Sequence, residues 1–398
     1  MSLLFSGLII FAPLYVWRFQ LVGLPTNFLM LYAGLVLLIG IIDILWRGKL
    51  GEYIRVMKTL PKTVAWFMGL FFIASVISLF VNGVDVAKIG QWIVLYVLPI
   101  GLAKLLYYYI KTEVVSRQAL VRSLYIFLFA AGLIAIAQYF FLWGLPQDFW
   151  GNSAEPKRAI GFFAHPNGFS LFITPLLAYL LPNVKMRVEN FSRSIFTASN
   201  FWILAWGLGA SGLLLSLSRG GWLGLVLAAA VFVLWSSSKK MLLVYGAAAI
   251  VAVAVLLSIP NFRYRILLPF HGEKSTVARF SLWETGSKMI KDSPILGQGI
   301  NGFNYNWDRY NTDPNLQHYN FPHNFILNTW IDTGLLGLLS WLGIVGWGLW
   351  FGLKNKSKPY AFGLALCMIA ILAHGLIDIP YFKNDLALLF WLLFALSV

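Results

Sequence analysis

The chain has 398 residues, 59% of them hydrophobic and 11% charged, with a net charge of +15. A soluble domain carries roughly a quarter charged residues, so the composition excludes a soluble globular enzyme and points to a polytopic α-helical membrane protein. Lysine and arginine gather in short loops between apolar runs, as membrane topology requires, so the positive balance implies a lipid bilayer as partner and no nucleic acid.

In chain order, the first twenty residues lack a basic start and a small-residue cleavage site, and read as a retained first helix. Apolar runs predict about twelve spans, at 2–17, 27–46, 64–81, 91–110, 120–143, 167–182, 198–217, 220–235, 241–259, 324–353, 360–377 and 384–397. The expected fold class is therefore all-α: a membrane helix bundle with a large extracytoplasmic loop containing short helices. Its expected parts are helices 1–9 in residues 1–259, the loop domain in 260–322, and helices 10–12 in 323–398. The loops 47–58, 111–122, 185–193, 236–240 and 354–358 are short and basic and fall on one side if the spans alternate. The positive-inside rule makes that side cytoplasmic. The opposite side then collects the unusual chemistry: 145–166, 216–221, 260–322 and 377–385, with His165, His271, His318 and His323. The lone Cys367 lies in an apolar run and has no partner for an intrachain disulfide.

On that opposite side, Arg158 and His165 precede a span that Pro166 and Asn167 begin. Proline suits a first helical turn and asparagine a cap, while Arg158 fits either a headgroup contact or a ligand contact. Arg219, in SLSRGGWLG (216–224), lies in a tight hairpin where two spans meet. A charge so close to hydrocarbon needs a partner or a wet cavity, so Arg219 fits either a lipid-headgroup contact or an anionic ligand, whose phosphate a guanidinium fork grips with two parallel hydrogen bonds. Arg279 falls in an amphipathic helix predicted over 275–292, with Val277, Phe280, Trp283 and Ile290 as its apolar positions. By position alone it is a solvated surface charge. GQGING (297–302) spells a dinucleotide fingerprint but follows no strand, so it is expected to be a turn that lets backbone approach a neighbour. Tyr305, Trp307, Tyr310 and Tyr319 suit either stacking on sugar faces or an interfacial aromatic belt.

The stretch PHNFILNTWIDTGLLG (322–337) opens a long apolar run with polar residues. Asn324, Asn328 and Asp332 stand at i, i+4 and i+8, on one helix face, which should turn to the bundle interior or a wet cleft. His323 stands at the helix N-terminus, where the macrodipole disfavours an imidazolium and leaves a neutral ring able to accept a proton. The same residues would also serve as a polar network that only holds helices together.

These pieces together resemble the O-antigen ligase and polymerase superfamily of bacterial envelope glycan enzymes. The resemblance rests on R-x-x-G…H-P-N before a span, S-R-G between spans, R-x-x-x-W…D-x-P-x-x-G-x-G in the long loop, and H-N leading to D-T-G-L-L-G, over about residues 158–340. At Asp332 the family more often has glutamate, so the carboxylate is kept. The resemblance implies a GT-C-like, metal-independent glycosyltransferase without cofactor in the bacterial inner membrane, its active site facing the periplasm. It implies an undecaprenyl-diphosphate-linked glycan as donor. The acceptor would be lipid A–core in a ligase, another lipid-linked repeat in a polymerase, or a protein hydroxyl in an O-oligosaccharyltransferase. By the same resemblance Arg219 and Arg279 hold the diphosphate, with Arg158 a third cation, and His323 is the base. His165, Asn167, Asn324 and Asp332 are expected beside the substrates. A flippase for lipid-linked glycan is the rival from another class; inverted repeats and broken helices would mark it, and the sequence pattern predicts neither.

Overall fold

The computed structural model describes residues 1–21, 24–152, 155–189, 198–268, 274–314 and 316–398. The elements in chain order begin with α1 (Ser2–Ile10), β1 (Arg18–Leu21), β2 (Leu24–Asn27), α2 (Phe28–Trp46), α3 (Leu50–Met57), α4 (Lys62–Phe80), α5 (Val86–Trp92) and α6 (Leu98–Lys111). Next come α7 (Arg117–Phe141), α8 (Pro166–Glu189), α9 (Ala198–Leu215), α10 (Arg219–Ser236), α11 (Lys239–Ser258) and α12 (Pro260–Leu267). The last are α13 (Lys274–Asp292), α14 (Gly302–Tyr305), α15 (Trp307–Tyr310), α16 (Phe325–Lys354), α17 (Pro359–Gly375) and α18 (Asn384–Ser397). Among the described residues, eight helices are long and apolar enough to cross a bilayer, and three shorter apolar helices accompany them. The chain is an all-α, multi-pass membrane protein, as composition predicts.

The N-terminus differs from the expected span at 2–17. Helix α1 stops after nine residues, because Pro13 enters a 3-10 turn over Ala12–Val16 and cannot donate the next helical hydrogen bond. An antiparallel ribbon follows, pairing Arg18 with Asn27 and Phe19 with Thr26. Asn27 then caps α2 by accepting the Met30 N–H at 3.0 Å.

The chain forms two compact units: residues 1–124, 279–355 and 375–398 in the first, and 125–278 with 356–374 in the second. The long loop is thus divided after Ala278. Its residues follow the helices they pack on, and the apolar pattern of a loop carries no sign of that choice.

In the first unit α16 lies along α4, and α18 along α6. An aromatic box of Trp341, Tyr381 and Phe390 fixes the segment before α18. The Tyr381 hydroxyl donates to Leu95 O at 2.8 Å and accepts from Trp391 Nε1 at 2.9 Å. Helix α4 ends in two left-handed residues, Asn82 (φ 57°) and Gly83 (φ 82°). Lys88, 5% exposed, folds back over that end. Its Nζ donates to Gly83 O at 2.8 Å, Asn82 O at 3.2 Å and Val81 O at 3.4 Å. Those carbonyls belong to the helix terminus, which has no intrahelical donors for them. Lys88→Met is therefore expected to cost about 1–3 kcal/mol, read as a lower melting temperature of the detergent-solubilised protein; an unchanged melting curve would show that water replaces the amine.

Helix α16 is broken at Gly334 (φ 66°, ψ −173°), although the apolar pattern predicts an unbroken span. The break frees Ile331 O and the Leu335 N–H, and the G-x-G loop takes both. Gln298 N donates to Ile331 O at 2.6 Å, and Leu335 N donates to Ile295 O at 3.0 Å. Gly297 (φ 72°) passes so close that a β-carbon there would lie 2.7 Å from Trp330 O; one on Gly299 (φ 84°) would lie 2.8 Å from Val81 O. GQGING is thus the close-approach turn its context suggests. Loop backbone thus takes both partners of the missing Leu335 N to Ile331 O helical bond.

In the second unit α8 packs against α9 and α10. Helix α17 joins them at short range: a β-carbon on Gly224 would lie 2.9 Å from Ala370 O.

Candidate active site

In the first unit, three residues singled out in the sequence converge on three consecutive positions after α17. Asn324 is the N-cap of α16, and its Oδ1 accepts from Ile326 N at 3.0 Å and Leu327 N at 3.1 Å. Its Nδ2 donates to Leu376 O at 3.0 Å. Arg279, on α13, donates from Nε to Ile377 O at 3.1 Å. His323 places Nδ1 3.1 Å from Asp378 Oδ1. The aromatic box around Tyr381 holds this segment still.

His323 sits outside the helix in a left-handed conformation, φ 48°, just ahead of the Asn324 cap. Its side chain is 28% exposed, while that of Asp378 is 3% exposed. Asp378 Oδ1 also accepts from the Ile379 N–H at 2.9 Å. An ionised carboxylate only accepts, so in a neutral imidazole paired with one the proton sits on Nδ1 and the lone pair on Nε2. Among the described residues, Nε2 makes no hydrogen bond. The Tyr319 ring stands edge-on to the imidazole, centroids 5.7 Å apart. In such a pair the carboxylate fixes the tautomer, and Nε2 is the ring atom that could accept a proton.

The polar stripe of α16 divides. Asn328 and Asp332 are buried and joined by an Asn328 Nδ2 to Asp332 Oδ2 bond of 3.1 Å. Asp332 Oδ1 accepts from Gly302 N at 3.1 Å, and the Ser78 hydroxyl donates to Asp332 O. Asp332 therefore ties the G-x-G loop to the helix, while Asn324 faces the 376–378 segment.

In the second unit the S-R-G hairpin gathers the other predicted residues. Leu217 turns the chain with φ 50°, and Arg219 is the first residue of α10. Arg158 donates from Nε to Ser216 O at 3.0 Å and from Nη2 to Asn167 Oδ1 at 2.9 Å. Ala159 N donates to Leu215 O at 3.0 Å. Helix α8 begins at Pro166, so Asn167 lies in its first turn and holds Arg158 rather than capping. His165 is exposed, with its ring edge-on to Phe149 at 5.7 Å. His271 lies outside the described residues.

Sequence reasoning missed two residues. Asp378 is one, in IDIPYFKND (377–385). The other is Arg265 of α12, which donates from Nε to Leu217 O at 3.0 Å and so brings another guanidinium to the hairpin. The aromatics also sort differently. Trp307 and Tyr310 are buried with Leu282, Met289, Phe303 and Ile331, and Tyr305 lies under the Lys88 amine, 5.2 Å from its ring centre. Of the four candidates for sugar stacking, Tyr319 is the one beside His323. Helix α13 forms where predicted, but Leu282 and Met289 make its buried face with Ile290, while Val277 and Phe280 are exposed.

Residues 203–342 match the family described as O-Antigen ligase. The matched stretch contains Arg219, Arg265, Arg279, His323, Asn324 and Asp332, and ends before Asp378. A curated relative from Haemophilus influenzae, described as an uncharacterized protein, is 25% identical over 192 residues, covering 43% of this chain and 47% of that relative. The similarity thus spans about half of the relative's length.

Proposed function

We propose that the chain, whose residues 203–342 match the family described as O-Antigen ligase, is a membrane glycosyltransferase of the ligase type. It moves a glycan from undecaprenyl diphosphate to an acceptor hydroxyl, lipid A–core in a ligase, at the periplasmic face of the bacterial inner membrane. His323 Nε2 takes the acceptor's proton as the new carbon–oxygen bond forms at the anomeric carbon. The bond to the diphosphate breaks, and the leaving group departs with the electron pair. Arg279 offsets that negative charge, since fixed cations aimed at developing charge supply much of an enzyme's rate acceleration; the family resemblance implies a diphosphate-binding role for Arg219 and Arg158 too. A base on the sugar face opposite the leaving group gives inversion. Asp378 and Asn324 position His323 and the segment behind it.

The observation that carries this reading is the His323–Asp378 pair, open at Nε2, with Arg279 bonded to the neighbouring Ile377 carbonyl. The test is transfer by the full chain in proteoliposomes, with an undecaprenyl-diphosphate-linked oligosaccharide as donor and lipid A–core as acceptor. Arg219→Ala is expected to lower turnover by about 10²–10³-fold, and Arg219→Lys to recover only part, because an ammonium lacks the planar fork. Near-normal turnover in Arg219→Ala would remove the hairpin from the mechanism. A deletion strain that accumulates unattached long chains would mark a ligase, and one that shows single repeats a polymerase.

A further inference from the structure

We infer that Tyr319 positions the acceptor, giving a sugar ring a face to lie on while one of its hydroxyls meets His323. This rests on the reading of His323 as the base, and adds a specificity-determining residue that neither the motifs nor the family match assigns.

The placement of Tyr319 is over-determined. Its ring packs on the buried cluster of Leu282, Met289, Phe303 and Trp307, with its centroid 6.5 Å from that of Trp307. Trp307 in turn carries His318 stacked on it at 5.4 Å and 16°. His318 Nε2 is tied to Asn304 Oδ1 at 2.8 Å. The result is a fixed aromatic wall that runs from the loop core to the imidazole, where Tyr319 meets His323 at 81° between ring planes. Tyr319 is half-buried, so part of it stays accessible, and among the described residues its hydroxyl makes no hydrogen bond. His318, Gln317 and Asn320 beside it are exposed.

The distances select for a ring. A hydroxyl that donates to Nε2 sits about 2.8 Å from it. The ring centres of His323 and Tyr319 lie 5.7 Å apart, so a six-membered ring whose hydroxyl meets Nε2 is wide enough to reach the exposed part of Tyr319 as well. A serine side chain or a linear polyol can reach Nε2 but has no second surface to lay against Tyr319. The exposed amides and imidazole nearby are of the kind that fixes hydroxyl orientation in a binding site lined by aromatics. A large aromatic held in place by its neighbours binds with little loss of conformational freedom.

The test needs no donor lipid. Saturation-transfer NMR on the full-length, detergent-solubilised protein is run with methyl hexopyranosides at millimolar concentration and with sorbitol as the ring-free control. The wild type is expected to saturate the ring C–H protons of the glycosides and leave sorbitol untouched. Tyr319→Leu, which keeps apolar volume, should lose the signal at least fivefold, and Tyr319→Phe should keep most of it. Equal signals for glycoside and sorbitol, or a wild-type signal in Tyr319→Leu, would overturn the assignment. Nitration of wild-type Tyr319 by tetranitromethane, read by peptide mass spectrometry, covers the case in which the leucine variant fails to fold. Bound glycoside should slow it at least threefold, and an unchanged rate would overturn the assignment equally. Glycoside binding and Tyr319 nitration are read without donor and without transfer, so a failure here is separable from a failure of the transfer mechanism.

Discussion

His323→Ala is expected to lower glycan transfer by about 10²–10⁴-fold, the contribution of a positioned general base, with donor binding unchanged. The expectation follows from three linked facts. Nδ1 is held at 3.1 Å by a carboxylate that is itself almost wholly buried. The held proton leaves Nε2 as the only basic atom of the ring. Nothing among the described residues occupies that atom. Asp378→Asn tests the same arrangement from behind. An amide can turn its NH₂ toward Nδ1 and favour the opposite tautomer, which puts the proton on Nε2 and removes the base without removing the ring. Its loss should fall in the turnover number rather than in the KM for donor. Turnover close to wild type in His323→Ala would eliminate the imidazole as base; a normal Asp378→Asn would show that the carboxylate does not set the tautomer.

Gly334→Ala is expected to prevent folding. The residue combines φ 66° with ψ −173°, a region open essentially to glycine alone and costing about 1–3 kcal/mol for other residues. A β-carbon there would also collide with Ile295 O and lie 2.7 Å from Leu296 C, both backbone atoms of the G-x-G loop. Neither can move without breaking the bonds from Gln298 N to Ile331 O and from Leu335 N to Ile295 O. Size-exclusion profiles and melting curves of the detergent-solubilised variant report the outcome. Gly346, on the same helix, has nothing within 4 Å of an added β-carbon, so Gly346→Ala should be neutral or slightly stabilising, since alanine gains up to about 1 kcal/mol over glycine in a helix. A Gly334→Ala protein that melts with the wild type would mean that the loop and helix do not depend on each other.

His323 is legible in the sequence because a histidine, two amides and an acid stand together at the start of a membrane-length run. Asp378 is not, since 55 residues separate it from its partner and no periodicity records a contact over that distance. The available signal is an acid between two apolar runs, and by composition IDIPYFKND reads as a loop. Arg219 announces itself by sitting in a hairpin too short to reach water, whereas Arg265, in the exposed-looking PNFRYRIL, reads as an ordinary loop charge. The break in α16 is invisible for the same physical reason that its glycine is strict: residues around 334 satisfy the apolar period, and the conformation is imposed by a loop some forty positions earlier. Trp307, Tyr310 and Tyr319 look alike by composition, and only packing decides which of them is core and which a wall.

At the S-R-G hairpin, the four successive peptide oxygens from Leu215 to Ser218 receive hydrogen bonds from Ala159 N, Arg158, Arg265 and Trp222 N, respectively. Each carbonyl dipole at the tip is thereby quenched by a donor, two of them cationic, so a visiting pyrophosphate would meet few exposed lone pairs of the main chain. The main chain of this tip therefore offers few free acceptors of its own, and the charge on Arg219 stands at the start of the next helix.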